Sequence, residues 1–151
     1  MIRDDIKAAL VNAMKSGEKQ ATATIRLIQA AIKNRDIELR TASQQPDDDL
    51  LVTEVLQKMI KQRRESIELY EKGNRQELAD AEKAEVAVIE RFLPQQMSDA
   101  EATVAIKAIV TELGASSVKD MGRVMAALKE RHAGQIDMSK ASGLVKGAIA
   151  G

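Results

Sequence analysis

Residues 47–74 read Asp47-Asp48-Asp49-Leu50-Leu51-Val52-Thr53-Glu54-Val55-Leu56-Gln57-Lys58-Met59-Ile60-Lys61-Gln62-Arg63-Arg64-Glu65-Ser66-Ile67-Glu68-Leu69-Tyr70-Glu71-Lys72-Gly73-Asn74. Val52, Leu56, Met59, Ile67 and Tyr70 recur at helical spacing and form one apolar stripe. The Asp run suits the positive end of a helix. Gly73-Asn74 ends it. A helix over 47–72 is about 39 Å long at ~1.5 Å per residue. One element of that length, with polar residues on its other faces, predicts an all-α protein.

The same period holds on both sides. The only prolines, Pro46 and Pro94, divide the chain into three blocks. In the first, Ile2, Ile6, Ala9, Leu10 and Ala13 mark one helix, and Gly17 is a natural stop. Ala21, Ile25, Ile28, Ile32 and Leu39 mark a second, joined to the first by a short turn that favours an antiparallel pair. Residues 41–49 are a loop. After the long helix, Leu78, Ala81, Val88, Ile89, Phe92 and Leu93 mark a fourth helix, ending before Pro94. The third block opens with Ser98-Asp99-Ala100-Glu101, a capping box. Ala105, Ile106, Ile109, Val110 and Leu113 follow as a fifth helix, stopped by Gly114. Ser117 caps a sixth, with Met121, Val124, Met125 and Leu128. Gly134 breaks it, and Asp137 or Ser139 caps a seventh, with Ala141, Leu144, Val145 and Ala148. The expected organisation is an N-terminal helical hairpin domain over residues 1–95. A small C-terminal three-helix bundle follows over 96–151.

Composition narrows the function classes. The 151 residues carry 23 Lys+Arg against 23 Asp+Glu, so the formal net charge is zero. One Tyr, one Phe and no Trp rule out an aromatic platform for single-stranded nucleic acid. No Cys and one His exclude disulfides, thiolate sites and multi-histidine metal sites. The start, Met1-Ile2-Arg3-Asp4-Asp5, has no apolar signal core, and no stretch approaches the ~20 apolar residues of a membrane span. The expectation is a soluble, cytoplasmic protein with no metal and no membrane association. Charge is unevenly spread. Residues 76–101 hold two bases and seven acids, whereas 103–151 hold seven bases and four acids.

Several constellations could carry chemistry. Lys58, Lys61, Arg63 and Arg64 cluster, but pairs four apart (Arg64 with Glu68, Lys61 with Glu65) read as a solvated face. Arg63 itself lies on the apolar stripe, and Glu82 and Glu85 interrupt the stripe of the fourth helix. Either these residues form a cross-helix ion pair, or the carboxylates do acid–base work. No nucleophile or metal-ligand set accompanies them, which favours the structural pair. Ser116-Ser117-Val118-Lys119 has a Ser-x-x-Lys spacing without the companion motifs of a Ser/Lys enzyme. His132 sits at a helix end, where it complements the dipole. There is no phosphate-cradling glycine loop, so no nucleotide cofactor is expected.

Lys61-Gln62-Arg63-Arg64-Glu65-Ser66-Ile67-Glu68, Gly73-Asn74-Arg75, Leu78-Ala79, Glu82, Glu85, Phe92-Leu93-Pro94-Gln95-Gln96-Met97-Ser98 and the run from Gly114 to Met125 are long, ordered strings. In them the chain resembles the GatB/YqeY domain family, in its stand-alone YqeY-like form, over essentially its whole length. The resemblance implies an N-terminal helical domain and a C-terminal three-helix domain. It also implies kinship with the tail of the B subunit of the aspartyl/glutamyl-tRNA amidotransferase, which helps hold the tRNA body. Activation of the tRNA-linked carboxylate and release of ammonia from glutamine take place in other parts of that enzyme. The family's turn before the last helix is often rich in Lys or Gly. Here it is Arg131-His132-Ala133-Gly134-Gln135-Ile136-Asp137, with fewer bases.

The leading expectation is therefore a non-catalytic, tRNA-associated or RNA-binding helical module. Its candidate contacts are Lys119, Arg123, Lys129, Arg131, Lys140 and Lys146. The alternatives are an amidotransferase-related (carbon–nitrogen ligase) component that needs a partner subunit, and a protein–protein adaptor. No catalytic residue is expected in the chain on its own.

Overall fold

A computed structural model describes residues 1–150. Among them are seven α-helices and two short 3₁₀ turns, with no strand. Two compact units separate at Leu93/Pro94, each with its own hydrophobic core.

The first unit holds α1 (Ile2–Lys15), α2 (Lys19–Glu38), α3 (Asp48–Lys72) and α4 (Gln76–Glu90). Where the sequence suggests one hairpin, there are two, α1/α2 and α3/α4. They share a core of Ile6, Ile25, Ile28, Val52, Leu56, Val88 and Ile89. Gly17 closes α1 at φ +70, a conformation that glycine adopts without Cβ strain. Asn74 does the same after α3 at φ 58, and the Arg75 amide then donates to the Tyr70 carbonyl at 2.8 Å. α2 packs against α1, α3 and α4.

Two helix ends fall short of their apolar stripes. Leu39 lies in a 3₁₀ turn over Leu39–Thr41, because Ala42 N and Gln45 Nε2 both donate to its carbonyl. α4 stops at Glu90, and Arg91–Leu93 continue as single turns with i→i+3 bonds. Pro94 disfavours helical backbone in the residue before it.

Three helix ends of this unit meet at Arg3. Its guanidinium donates to both oxygens of Asp36, at the end of α2, at 2.9 and 3.1 Å. It also donates to both oxygens of Asp48, at the start of α3, at 2.8 and 3.3 Å. The Ile2 amide donates to Asp49 at 3.0 Å. The hydrogen bonds from Arg3 hold the Asp48 carboxyl below its ordinary pKa. A depressed carboxylate adds stability that is present above the unfolded pKa and lost as pH falls through the folded one. Wild type is therefore expected to exceed Arg3→Gln in stability at pH 7, with the difference closing as pH drops below about 4. Urea midpoints of both proteins at pH 7 and pH 3 measure it. A difference that stays constant across that range would show that Asp48 titration is not linked to folding.

The second unit holds α5 (Asp99–Leu113), α6 (Met121–Arg131) and α7 (Met138–Ala150), each packed on the other two. Ile106, Ile109, Val124, Leu128, Ala141 and Val145 fill the centre. Both halves of the capping box form: the Ser98 hydroxyl accepts from the Glu101 amide at 3.1 Å, and the Glu101 carboxylate accepts from the Ser98 amide at 3.2 Å. Gly114 closes α5 at φ 64. Asp137 caps α7, accepting from the Ser139 amide at 2.9 Å.

Candidate nucleic-acid surface and the α3–α4 seam

All six candidate RNA-contacting cations are exposed on the second unit. Lys119 stands on the 3₁₀ turn Val118–Asp120, which packs against both α6 and α7. Arg123, Lys129 and Arg131 lie on α6, and Lys140 and Lys146 on α7. At least three of the six are held by carboxylates. Arg123 donates to Asp120 at 2.8 Å. Arg131 makes a two-pronged contact with Glu112 of α5, at 2.6 and 2.9 Å. Lys140 reaches Asp99 at 2.5 Å. Among the described residues, Lys119 and Lys146 form no ion pair.

The carboxylates feel these partners. The amide of Ser116, the Arg123 guanidinium and the amide of Ser117 together hold Asp120 below its ordinary pKa. Arg131 likewise lowers Glu112, and Glu112 in return raises Arg131. Asp120 is thus turned back onto the preceding loop and gives α6 no side-chain cap. His132 closes α6: its amide donates to Leu128 at 2.9 Å, and its Nδ1 lies 3.2 Å from Gln135 Oε1.

One feature of this surface escaped the sequence reading. Gly122 on α6 and Gly143 and Gly147 on α7 are exposed glycines inside helices. A Cβ added at any of them would meet nothing within 4 Å. Glycine in a helix interior is less favourable than alanine by about 1 kcal/mol, and packing does not require it here. Positions 143 and 147 are one turn apart, beside Lys146, on a helix without an acidic residue. The signal was visible as glycine within a helical pattern.

The seam of the α3–α4 hairpin holds the other candidate cluster. Arg63 Nε donates to Glu85 Oε2 at 2.7 Å, and Arg63 Nη1 donates to the Met59 carbonyl at 3.3 Å. Glu82 is not the partner of Arg63. Its Oε2 is buried and accepts no hydrogen bond. The solvated-face reading of the neighbouring bases changes in one respect. Arg64 pairs with Glu90 of α4 at 3.2 Å, and Glu68 pairs with Lys72 instead. The longer reach to α4 wins because the two helices run side by side. No group of three or more metal-ligating side chains occurs among the described residues. No helix there is long and apolar enough to cross a membrane.

The model of a family described as Yqey-like protein matches residues 3–149. An uncharacterised protein of Schizosaccharomyces pombe is 33% identical over 95 residues, 62% of this chain and 73% of that protein. "Altered inheritance of mitochondria protein 41, mitochondrial" of Lachancea thermotolerans is 31% identical over 115 residues, 75% of this chain and 60% of its own. The protein of that name in Meyerozyma guilliermondii is 31% identical over 144 residues, 95% of this chain and 64% of its own. The chain therefore spans less than two thirds of these two mitochondrial relatives.

Proposed function

The chain belongs to the YqeY-like family, and on that premise we propose that its C-terminal unit is a non-catalytic module that binds RNA through phosphates. The observation that carries this reading is the outer face of α7. Lys146 stands beside Gly143 and Gly147, where a sugar–phosphate backbone can approach the helix without meeting a side chain. Lys119, on the turn packed against α7, adds a second cation without an ion-pair partner among the described residues. The kinship with the amidotransferase tail that the sequence resemblance implies supports folded tRNA as the RNA.

At least three of the six cations are already neutralised, by Asp120, Glu112 and Asp99. Affinity should therefore be that of non-specific phosphate contacts, with Kd of ~10⁻⁴–10⁻⁶ M at physiological salt. The experiment is titration of folded tRNA at two salt concentrations. Each lost phosphate contact lowers the slope of log K against log salt by about 0.9, so K119E/K146E should lower it by about 2. Gly147→Leu should weaken binding while leaving the melting temperature unchanged or raised. No binding by wild type at low salt, or equal binding by both variants, would sink the reading.

A further inference from the structure

The α1–α2 hairpin carries a second stripe outside its core. Ile6 and Ala13 on α1 and Ile25, Ile28 and Ile32 on α2 are buried in the shared core. The second stripe is Lys7, Val11 and Met14 on α1, at i, i+4 and i+7. On α2 it is Arg26, Ala30, Lys33 and Ile37, at i, i+4, i+7 and i+11. That spacing keeps each set on one side of its helix. Contacts near both ends of the pair fix the register. Arg3 meets Asp36 at one end, and Arg26 Nη2 donates to the Met14 sulphur at 4.0 Å at the other. Lys7 therefore falls level with Lys33, and the two stripes line the outer furrow between the helices.

The furrow is apolar and uncompensated in charge. Val11 is 47%, Met14 53% and Ile37 45% exposed. Lys7, Arg26 and Lys33 are exposed beside them, and none forms an ion pair among the described residues. Residues 1–40 hold eight bases and five acids. Asp36 is taken by Arg3, and Glu38 by Arg35. Asp5 lies on the opposite flank of α1, and Glu18 lies in the turn before α2. Of the five acids, only Asp4 borders the furrow, at the end near Arg3. Three cations thus face it against one carboxylate.

We propose that the furrow between α1 and α2 docks an acidic amphipathic helix of another protein. Its carboxylates meet Lys7, Lys33 and Arg26, and its aliphatic side chains cover Val11, Met14 and Ile37. Charge complementarity selects the occupant. A phosphate backbone would answer the cations but leave the three aliphatic side chains in water. A flat lipid surface would touch the crests of the two helices, whereas these side chains line the furrow between them. A helix with carboxylates beside aliphatic residues satisfies both features, in helix-in-groove recognition with anchors at i, i+4 and i+7. The site lies on the N-terminal unit and does not depend on RNA binding.

The test uses the full chain and a synthetic helical peptide with leucines at i, i+4 and i+7 and glutamates flanking them. A second peptide has lysine in place of each glutamate. Fluorescence anisotropy gives affinity, and amide chemical shifts locate the contact. Expected is saturable binding of the glutamate peptide, weakened by added salt, with shifts confined to α1 and α2. The lysine peptide should bind at least tenfold more weakly. K7E/K33E and Val11→Ser should each weaken binding about tenfold without lowering the melting temperature. No binding at millimolar peptide, equal affinity for both peptides, or shifts elsewhere would overturn the proposal. So would folded tRNA, or vesicles containing anionic lipid, shifting the α1 and α2 amides at lower concentration than the peptide. A dimer in sedimentation that K7E/K33E dissolves would overturn it too, since a second copy would then fill the furrow.

Discussion

Ile106→Ala is expected to unfold the C-terminal unit of the full chain while the N-terminal unit stays folded. Ile106 is fully buried at the centre of α5, packed in a core formed by three short helices. Truncating a buried isoleucine to alanine costs about 2–5 kcal/mol, from lost transfer energy and the cavity left behind. A unit of this size rarely draws more than ~3–5 kcal/mol from its core. The substitution therefore removes most or all of its stability. Leu56→Ala makes the same kind of cavity in the larger N-terminal core, where more buried apolar side chains remain. Hydrogen exchange resolved by segment distinguishes the two. In Ile106→Ala, the amides of α5, α6 and α7 should exchange as in an unfolded chain, while those of α3 and α4 stay protected. Simultaneous loss of protection everywhere would show that the two cores do not melt separately.

The second large effect lies in the α3–α4 seam. The side chains of Arg63 and Glu85 are 15% and 29% exposed, between the buried and the surface case. Breaking a buried pair costs about 3–5 kcal/mol, and an exposed one contributes under ~1 kcal/mol. Arg63→Ala should accordingly cost about 2–3 kcal/mol, because it leaves the partly buried Glu85 carboxylate without its cation. Glu85→Ala should cost less, since Arg63 keeps the Met59 carbonyl. Glu82→Gln should be neutral or stabilising, since it removes a charge whose buried oxygen has no donor. A double-mutant cycle on Arg63 and Glu85, read by urea denaturation, isolates the coupling. A coupling near zero would show that the Arg63–Glu85 pair does not hold the seam.

Much of this fold was legible in the sequence. The apolar stripes marked all seven helices, because burial of one face imposes a 3.6-residue period wherever a helix forms. Stops and caps were equally local. Gly17 and Gly114 adopt positive φ, and Ser98 and Glu101 exchange hydrogen bonds three residues apart. The interrupted stripes limited the partner of Arg63 to Glu82 or Glu85. Helix ends were less legible, since Leu39 and Phe92 continue the apolar pattern after the helical hydrogen bonds have stopped.

What the sequence determined by itself, then, is each helix, its buried face and its caps, since these follow from bonds and contacts within a few residues. Only the tertiary structure decided which charges remain free. Arg131 meets Glu112 and Lys140 meets Asp99 across helices, so part of a cationic surface counted from composition is already paired. The choice of Glu85 over Glu82 likewise depends on the register of α3 against α4. Such facts depend on how residues tens of positions apart are brought together, and a helical period carries no information about the partner across the crossing.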